Sequence, residues 1–151
     1  MLQPNVQNIQ AGAGMSASVL IIEDETIIAE DLWCIVEQLG HRVSGVARTC
    51  DEAIALAKRA PPDLILSDIR LADGGSGAEA AGTILEERDV PIIFLTACPH
   101  EVPLLLREAA FVITKPYREA TVKMTIEQAV SRQCSCPKLR DCICPAIQPP
   151  F

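Results

Sequence analysis

Residues 18–24, Ser-Val-Leu-Ile-Ile-Glu-Asp, set four consecutive apolar side chains between a serine and two acids. Neighbouring side chains on a strand point to opposite faces, so an unbroken apolar run leaves no face for water. Such a run fits a strand of a parallel sheet covered by helices on both sides. The pattern recurs at Asp63-Leu-Ile-Leu-Ser-Asp68, Pro91-Ile-Ile-Phe-Leu-Thr96 and Ala110-Phe-Val-Ile-Thr114, and His41 to Ala47 reads as a further strand.

Helical stretches fill the intervals. Thr26 to Leu39 places Ile28, Leu32, Ile35, Val36 and Leu39 at helical spacing, and Gly40 stops it. Thr49 and Glu52 form a capping box for a helix that ends at Pro61-Pro62. A Gly-rich loop, Ala72 to Gly77, leads to a helix over Ala78–Glu87. Pro103 limits the stretch Pro99–Ala109 to a brief or broken helix. Arg118–Arg132 is the last helix, with Val122, Ile126, Ala129 and Val130 on one face. Five β-α units in series predict an α/β fold with a five-stranded, parallel, doubly wound sheet. In such folds the site lies at the carboxyl ends of the strands.

Composition bounds the function. The 151 residues are 49% apolar and only 3% aromatic, which fits one domain with an Ala/Ile/Leu/Val core. The 13 Lys+Arg against 20 Asp+Glu give a net charge of −7. That balance excludes direct binding of nucleic acid or of an anionic membrane, both of which need a basic face. No signal peptide is visible, and the apolar runs are too short to span a bilayer, so a cytoplasmic location with reduced thiols is expected. The charge is uneven. Residues 1–17 carry none, residues 18–132 carry −8, and residues 133–151 carry +1 with four of the seven cysteines and four of the eleven prolines. The expected division is a flexible extension over 1–17, a folded domain over 18–132 and a disordered Cys/Pro-rich tail over 133–151. Met15 is a candidate second start, since the regular pattern begins just after it.

Glu23, Asp24 and Asp68 converge at the strand ends, where three carboxylates repel one another unless a cation joins them. Mg²⁺ favours a few carboxylates with waters and a phosphate oxygen. A carboxylate is also a nucleophile toward phosphorus. Lys115 and the Thr96 hydroxyl, at two further strand ends, suit the charge on a transferred phosphoryl group.

Leu20-Ile-Ile-Glu-Asp-Glu25, Leu64-Ile-Leu-Ser-Asp-Ile69, Phe94-Leu-Thr-Ala97 and Thr114-Lys-Pro-Tyr117 resemble the receiver domain of bacterial two-component response regulators. The resemblance covers residues 18–132 as a single receiver and implies a flavodoxin-like sheet of order 2-1-3-4-5. It implies that Asp68 is the phosphoacceptor. Asp24 and Asp68 would bind Mg²⁺ with the backbone carbonyl of Arg70, and Glu23 would support it through water. Thr96 and Lys115 would contact the phosphoryl oxygens, and Lys115-Pro116 would be cis. The implied role is phosphoacceptor in a phosphorelay, with self-catalysed transfer rather than enzymatic turnover. The implied partners are a histidine kinase or phosphotransferase and a downstream protein target, with the receiver a monomer or a phosphorylation-dependent dimer.

The run Asp68-Ile-Arg-Leu-Ala-Asp-Gly-Gly-Ser-Gly77 looks like the receiver of general-stress-response regulators. In those proteins a sigma-factor-like domain precedes the receiver. Only 17 residues precede the first strand here, so that part is expected to be missing. Two departures bear on output. The aromatic switch position, three before the lysine, holds Val112, while Phe111 points to the opposite face. Arg70 and Cys98, two positions after Asp68 and Thr96, are an uncommon pair at sites that tune phosphoryl lifetime in the family.

Other residues carry less. Gly74-Gly75-Ser76-Gly77 lacks the ending of a phosphate-binding loop and reads as a flexible turn. His41 and His100 read as surface residues, and Trp33 and Cys34 as helix packing. Cys50 sits near a helix start and Cys98 near the site. Cys134-Ser-Cys136 and Cys142-Ile-Cys144 are two C-x-C pairs that can hold Zn²⁺ or Cu(I). Two alternatives therefore stand beside the phosphoacceptor: a phosphorylation-independent interaction module on the same fold, and metal or redox sensing through the tail.

Overall fold

A computed structural model describes residues 16–132. The stretches expected to be a flexible extension and a thiol-bearing tail lie outside the described residues, apart from residues 16 and 17.

The chain runs β1 (Ser18–Ile22), α1 (Thr26–Gln38), β2 (Arg42–Ala47), α2 (Cys50–Arg59), β3 (Leu64–Ser67), α3 (Gly77–Glu87) and β4 (Ile92–Thr96). A 3₁₀ turn (Pro99–Glu101), α4 (Leu104–Ala109), β5 (Ala110–Thr114) and α5 (Glu119–Ser131) follow. The five strands pair in the order β2-β1-β3-β4-β5, all parallel, as expected. Among the described residues no helix is long and apolar enough to cross a membrane.

The apolar strands split their side chains between two cores. Leu20, Ile22, Ile65, Ile92 and Phe94 pack with Ala53 and Ala57 of α2 and Ala78, Ala80, Ala81 and Ile84 of α3. Val19, Ile21, Leu64, Leu66, Ile93 and Leu95 pack with Leu32, Ile35 and Val36 of α1 and Val122, Ile126 and Ala129 of α5. Alanines on α2 and α3 let those helices lie close to the sheet, which is how a core with so few aromatics fills its volume.

Local signals set the boundaries. Gly40, at φ 84°, ends α1 in the left-handed region that favours glycine. The Thr49 hydroxyl accepts the Glu52 N–H at 3.1 Å, and the Glu52 carboxylate accepts the Arg48 N–H at 2.9 Å. Removing this cap with Thr49→Ala is expected to cost about 1 kcal/mol in denaturant unfolding, because α2 then starts with an unpaired N–H.

Three expectations need correction. Trp33 and Cys34 do not join the core; both are exposed, since the α1 stripe facing the sheet is Ala29, Leu32, Ile35 and Val36. His41 is not a free surface residue. Its Nδ1 accepts the Ala17 N–H at 3.1 Å, and its Nε2 is buried without a hydrogen-bond partner among the described residues. The Gly74–Gly77 turn is built rather than loose. Asp73 caps the Gly75 N–H at 2.9 Å, Leu71 donates to the Gly75 carbonyl at 3.1 Å, and Arg70 bridges Ser76.

Candidate functional site

The carboxyl ends of β1, β3 and β4 and the segment after β5 meet at one edge of the sheet. Glu23 and Asp24 follow β1, Asp68 follows β3, Thr96 ends β4, and Lys115 follows β5. Parallel pairing of β1 with β3 sets Ile22 opposite Ser67, so the acids that follow lie side by side.

Lys115 is the electrostatic centre. Its Nζ donates to Asp68 Oδ2 at 3.0 Å and to Glu23 Oε2 at 3.0 Å. Glu23 is only 1% exposed, and its Oε1 accepts the Glu25 N–H at 3.1 Å. Burial pushes the Glu23 carboxyl above its ordinary value, and the bonds from Glu25 and Lys115 offset only part of that. Burial also pulls the Lys115 ammonium down, but its bonds to Asp68 and Glu23 outweigh it and leave the group above its ordinary value. The remaining Asp68 oxygen, Oδ1, accepts the Ile69 N–H at 2.6 Å.

Carboxylate oxygens of Glu23, Asp24 and Asp68 lie within 4.8 Å of one another. Asp24 adds a fixed backbone, since its carbonyl accepts from Arg48 Nη2 at 3.1 Å. Hard oxygens at this spacing suit Mg²⁺ rather than a soft thiophilic metal. Thr96 is buried beside them, and its hydroxyl oxygen accepts the Cys98 N–H at 3.0 Å. The Lys115 N–H donates to the Thr96 carbonyl at 2.9 Å, which ties the two strand ends together. The Lys115-Pro116 bond is cis. The Arg70 guanidinium turns to Glu101 in the next loop.

Residues 19–127 match the family of the response regulator receiver domain. The chain belongs to that family. It is thereby a module of two-component signalling. The receiver is 48% identical over 123 residues to the phyllosphere-induced regulator PhyR of Methylorubrum extorquens, covering 80% of this chain and 46% of that protein. It is 34% identical over 125 residues to the transcriptional regulatory protein PdtaR of Mycobacterium tuberculosis, covering 81% of this chain and 60% of that one. The chain thus spans about half the length of the curated relatives it matches. The solution structure of the Erythrobacter litoralis PhyR receiver superposes with a TM-score of 0.73 at 42% identity, over 82% of this chain and 97% of that one. The crystal structure of PhyR from Brucella abortus gives 0.72 at 41% identity, over 82% and 53%.

Three further residues shape the site of this receiver. Gly77 opens α3 against the loop that follows Asp68, with its N–H on the Ile69 carbonyl at 2.8 Å. A β-carbon there would fall 1.7 Å from the Asp68 carbonyl oxygen and 2.3 Å from Ser67 Oγ. Nothing in the sequence marks this contact; Gly77 reads as one more glycine in a turn. Glu101 is 31 positions from Arg70, and no local pattern links them. Tyr117 donates to Asp31 Oδ2 at 3.1 Å and joins the segment after β5 to α1. Burial and the Asp31 carboxylate push the Tyr117 hydroxyl well above its usual range.

Val112 and Phe111, neighbours on β5, differ in their surroundings. Val112 is 37% exposed. Phe111 instead packs with the α1 and α5 core, under the Arg132 guanidinium at 4.6 Å.

Proposed function

We propose that this receiver accepts a phosphoryl group on Asp68 from a phosphohistidine and transmits the change by binding another protein. The observation that carries the reading is the Asp68 carboxylate held between a half-buried lysine and two further acids. An oxygen of Asp68 attacks phosphorus, the phosphorus–nitrogen bond breaks, and the imidazole leaves with the electron pair and takes a proton from water. The product is an acyl phosphate.

Lys115 supplies a donor and positive charge to the phosphoryl oxygens as charge moves onto them. The Thr96 hydroxyl hydrogen is not committed to the Cys98 contact, where the oxygen accepts, so it can donate to the same group. Mg²⁺ would be held by Asp24, Asp68 and the Arg70 carbonyl, with Glu23 acting through water, and would neutralise phosphoryl charge. Incubation with Mg²⁺ and labelled acetyl phosphate should label the protein, and chelation should prevent it. Unchanged labelling in EDTA would remove the metal from the account.

A pH dependence follows from Glu23. Its raised value means that protons compete for the carboxylate above the ordinary range of 4.5. Metal binding needs the ionised form, so apparent Mg²⁺ affinity should fall as pH drops, starting above the range of a solvated glutamate. In Glu23→Gln that onset should move toward ordinary carboxylate pH, as read by titration calorimetry.

The PhyR of Bartonella quintana is described as an anti-anti-sigma factor, and a protein target of related type is the natural output to test first. The exposed Val112 favours a second reading, a module that binds its target without phosphorylation. That reading predicts target binding unchanged by Asp68→Ala.

A further inference from the structure

Arg70 and Glu101 join the two loops that flank the phosphoacceptor. Arg70 lies two residues beyond Asp68, with its backbone fixed by the bridge to Ser76. Glu101 ends the 3₁₀ turn that follows β4 and Thr96. The turn is anchored below by Val102, buried in the α2 and α3 core, and held above by the Glu101 N–H on the Cys98 carbonyl at 3.0 Å. Across the gap the guanidinium meets the carboxylate with two hydrogen bonds, Nε to Oε2 at 3.0 Å and Nη2 to Oε1.

The pair is well directed but weakly held. The Arg70 side chain is 71% exposed, and ion pairs in water contribute little. An exposed bidentate pair is therefore easily exchanged for a better acceptor. An acyl phosphate two residues away offers more charge and three acceptor oxygens in a geometry that suits a guanidinium. A cleft of about 390 Å³ between Arg70, Leu71, Gly74–Ser76 and Glu101 leaves room for the side chain to turn. Glu101 raises the proton affinity of the guanidinium most, and the Asp68 charge adds a smaller push in the same direction.

We propose that Arg70 is a phosphoryl-binding residue held in reserve by Glu101, and that it exchanges Glu101 for the phosphoryl oxygens when Asp68 is modified. The inference rests on the phosphoacceptor reading. It also links the site to the output side, because the exchange frees Glu101, at the end of the turn leading into α4, whose Leu104 and Leu105 are exposed.

The test is the rate of phosphorylation by acetyl phosphate at low donor concentration, with thermal stability measured alongside. Glu101→Gln keeps the shape but releases the guanidinium, and should raise the rate about threefold to tenfold. Arg70→Ala should lower it, and Arg70→Lys, which keeps the charge without the fork, should fall between. Glu101→Gln in the Arg70→Ala background should have no effect on the rate. A purely structural pair would move stability and leave this pattern absent. A wild-type rate in Glu101→Gln overturns the proposal, as does the same gain in the Arg70→Ala background. Absence of phosphorylation in the wild type overturns the phosphoacceptor reading as well.

Discussion

Gly77→Ala is expected to destabilise the receiver by about 3 kcal/mol or more and to impair phosphoryl acceptance. Its β-carbon would lie 1.7 Å from the Asp68 carbonyl oxygen, far inside contact distance, and backbone rather than a flexible side chain blocks it. Either α3 must lift from the sheet or the Asp68 backbone must move. Lifting α3 opens the core around Ala78, Ala80, Ala81 and Ile84. Moving Asp68 breaks the 2.6 Å bond from Ile69 N–H and shifts the carboxylate away from Lys115. Urea unfolding reads the first cost, and the phosphorylation rate of the folded fraction reads the second. Gly82→Ala is the control. A β-carbon there meets nothing within 4 Å, and alanine favours a helix interior over glycine. That variant should be as stable as the wild type or more so, with unchanged phosphorylation.

Lys115→Met is expected to lower the phosphorylation rate by about 10²- to 10³-fold, the usual loss when one donor to a developing oxyanion is removed. It should also destabilise the protein by about 3 kcal/mol at neutral pH without Mg²⁺, since Glu23 and Asp68 then face each other without their shared cation. The pH trend has a definite sign. Loss of the lysine raises the Glu23 carboxyl further, so its ionised form costs more stability. Lowering the pH through that raised value protonates Glu23 and should recover part of the loss. Added Mg²⁺ should recover stability at neutral pH but not the rate. In the wild type, the raised Lys115 contributes stability that is fully present below 10.5 and is lost as pH rises through its higher folded value. Equal stability of variant and wild type across this range would show that Lys115 is solvated rather than paired.

These contacts show what a sequence exposes and what it hides. The strands were legible because a parallel sheet between two helical layers leaves no polar face, and each strand shows that directly. The acids and Lys115 were legible because they end apolar runs, and strand ends converge in this topology. Gly77 and Glu101 were not, because their meaning lies in the neighbours brought to them by folding. His41 was misread for the same reason: the group it accepts, the Ala17 N–H, is 24 positions away. Trp33 was misread because a large aromatic on an amphipathic helix favours packing, yet the stripe of α1 that meets the sheet is made of other residues. The short α4 was legible from Pro103, but the exposure of Leu104 and Leu105 was not, since six residues leave no room to turn every leucine inward.

The central claim is that Asp68 accepts the phosphoryl group. Intact-mass spectrometry after incubation with Mg²⁺ and acetyl phosphate tests it most directly. The wild type should gain the mass of one phosphoryl group, and Asp68→Asn, folded to the same extent by circular dichroism, should gain none. An unmodified wild type, or an Asp68→Asn variant that gains the same mass, would contradict the account.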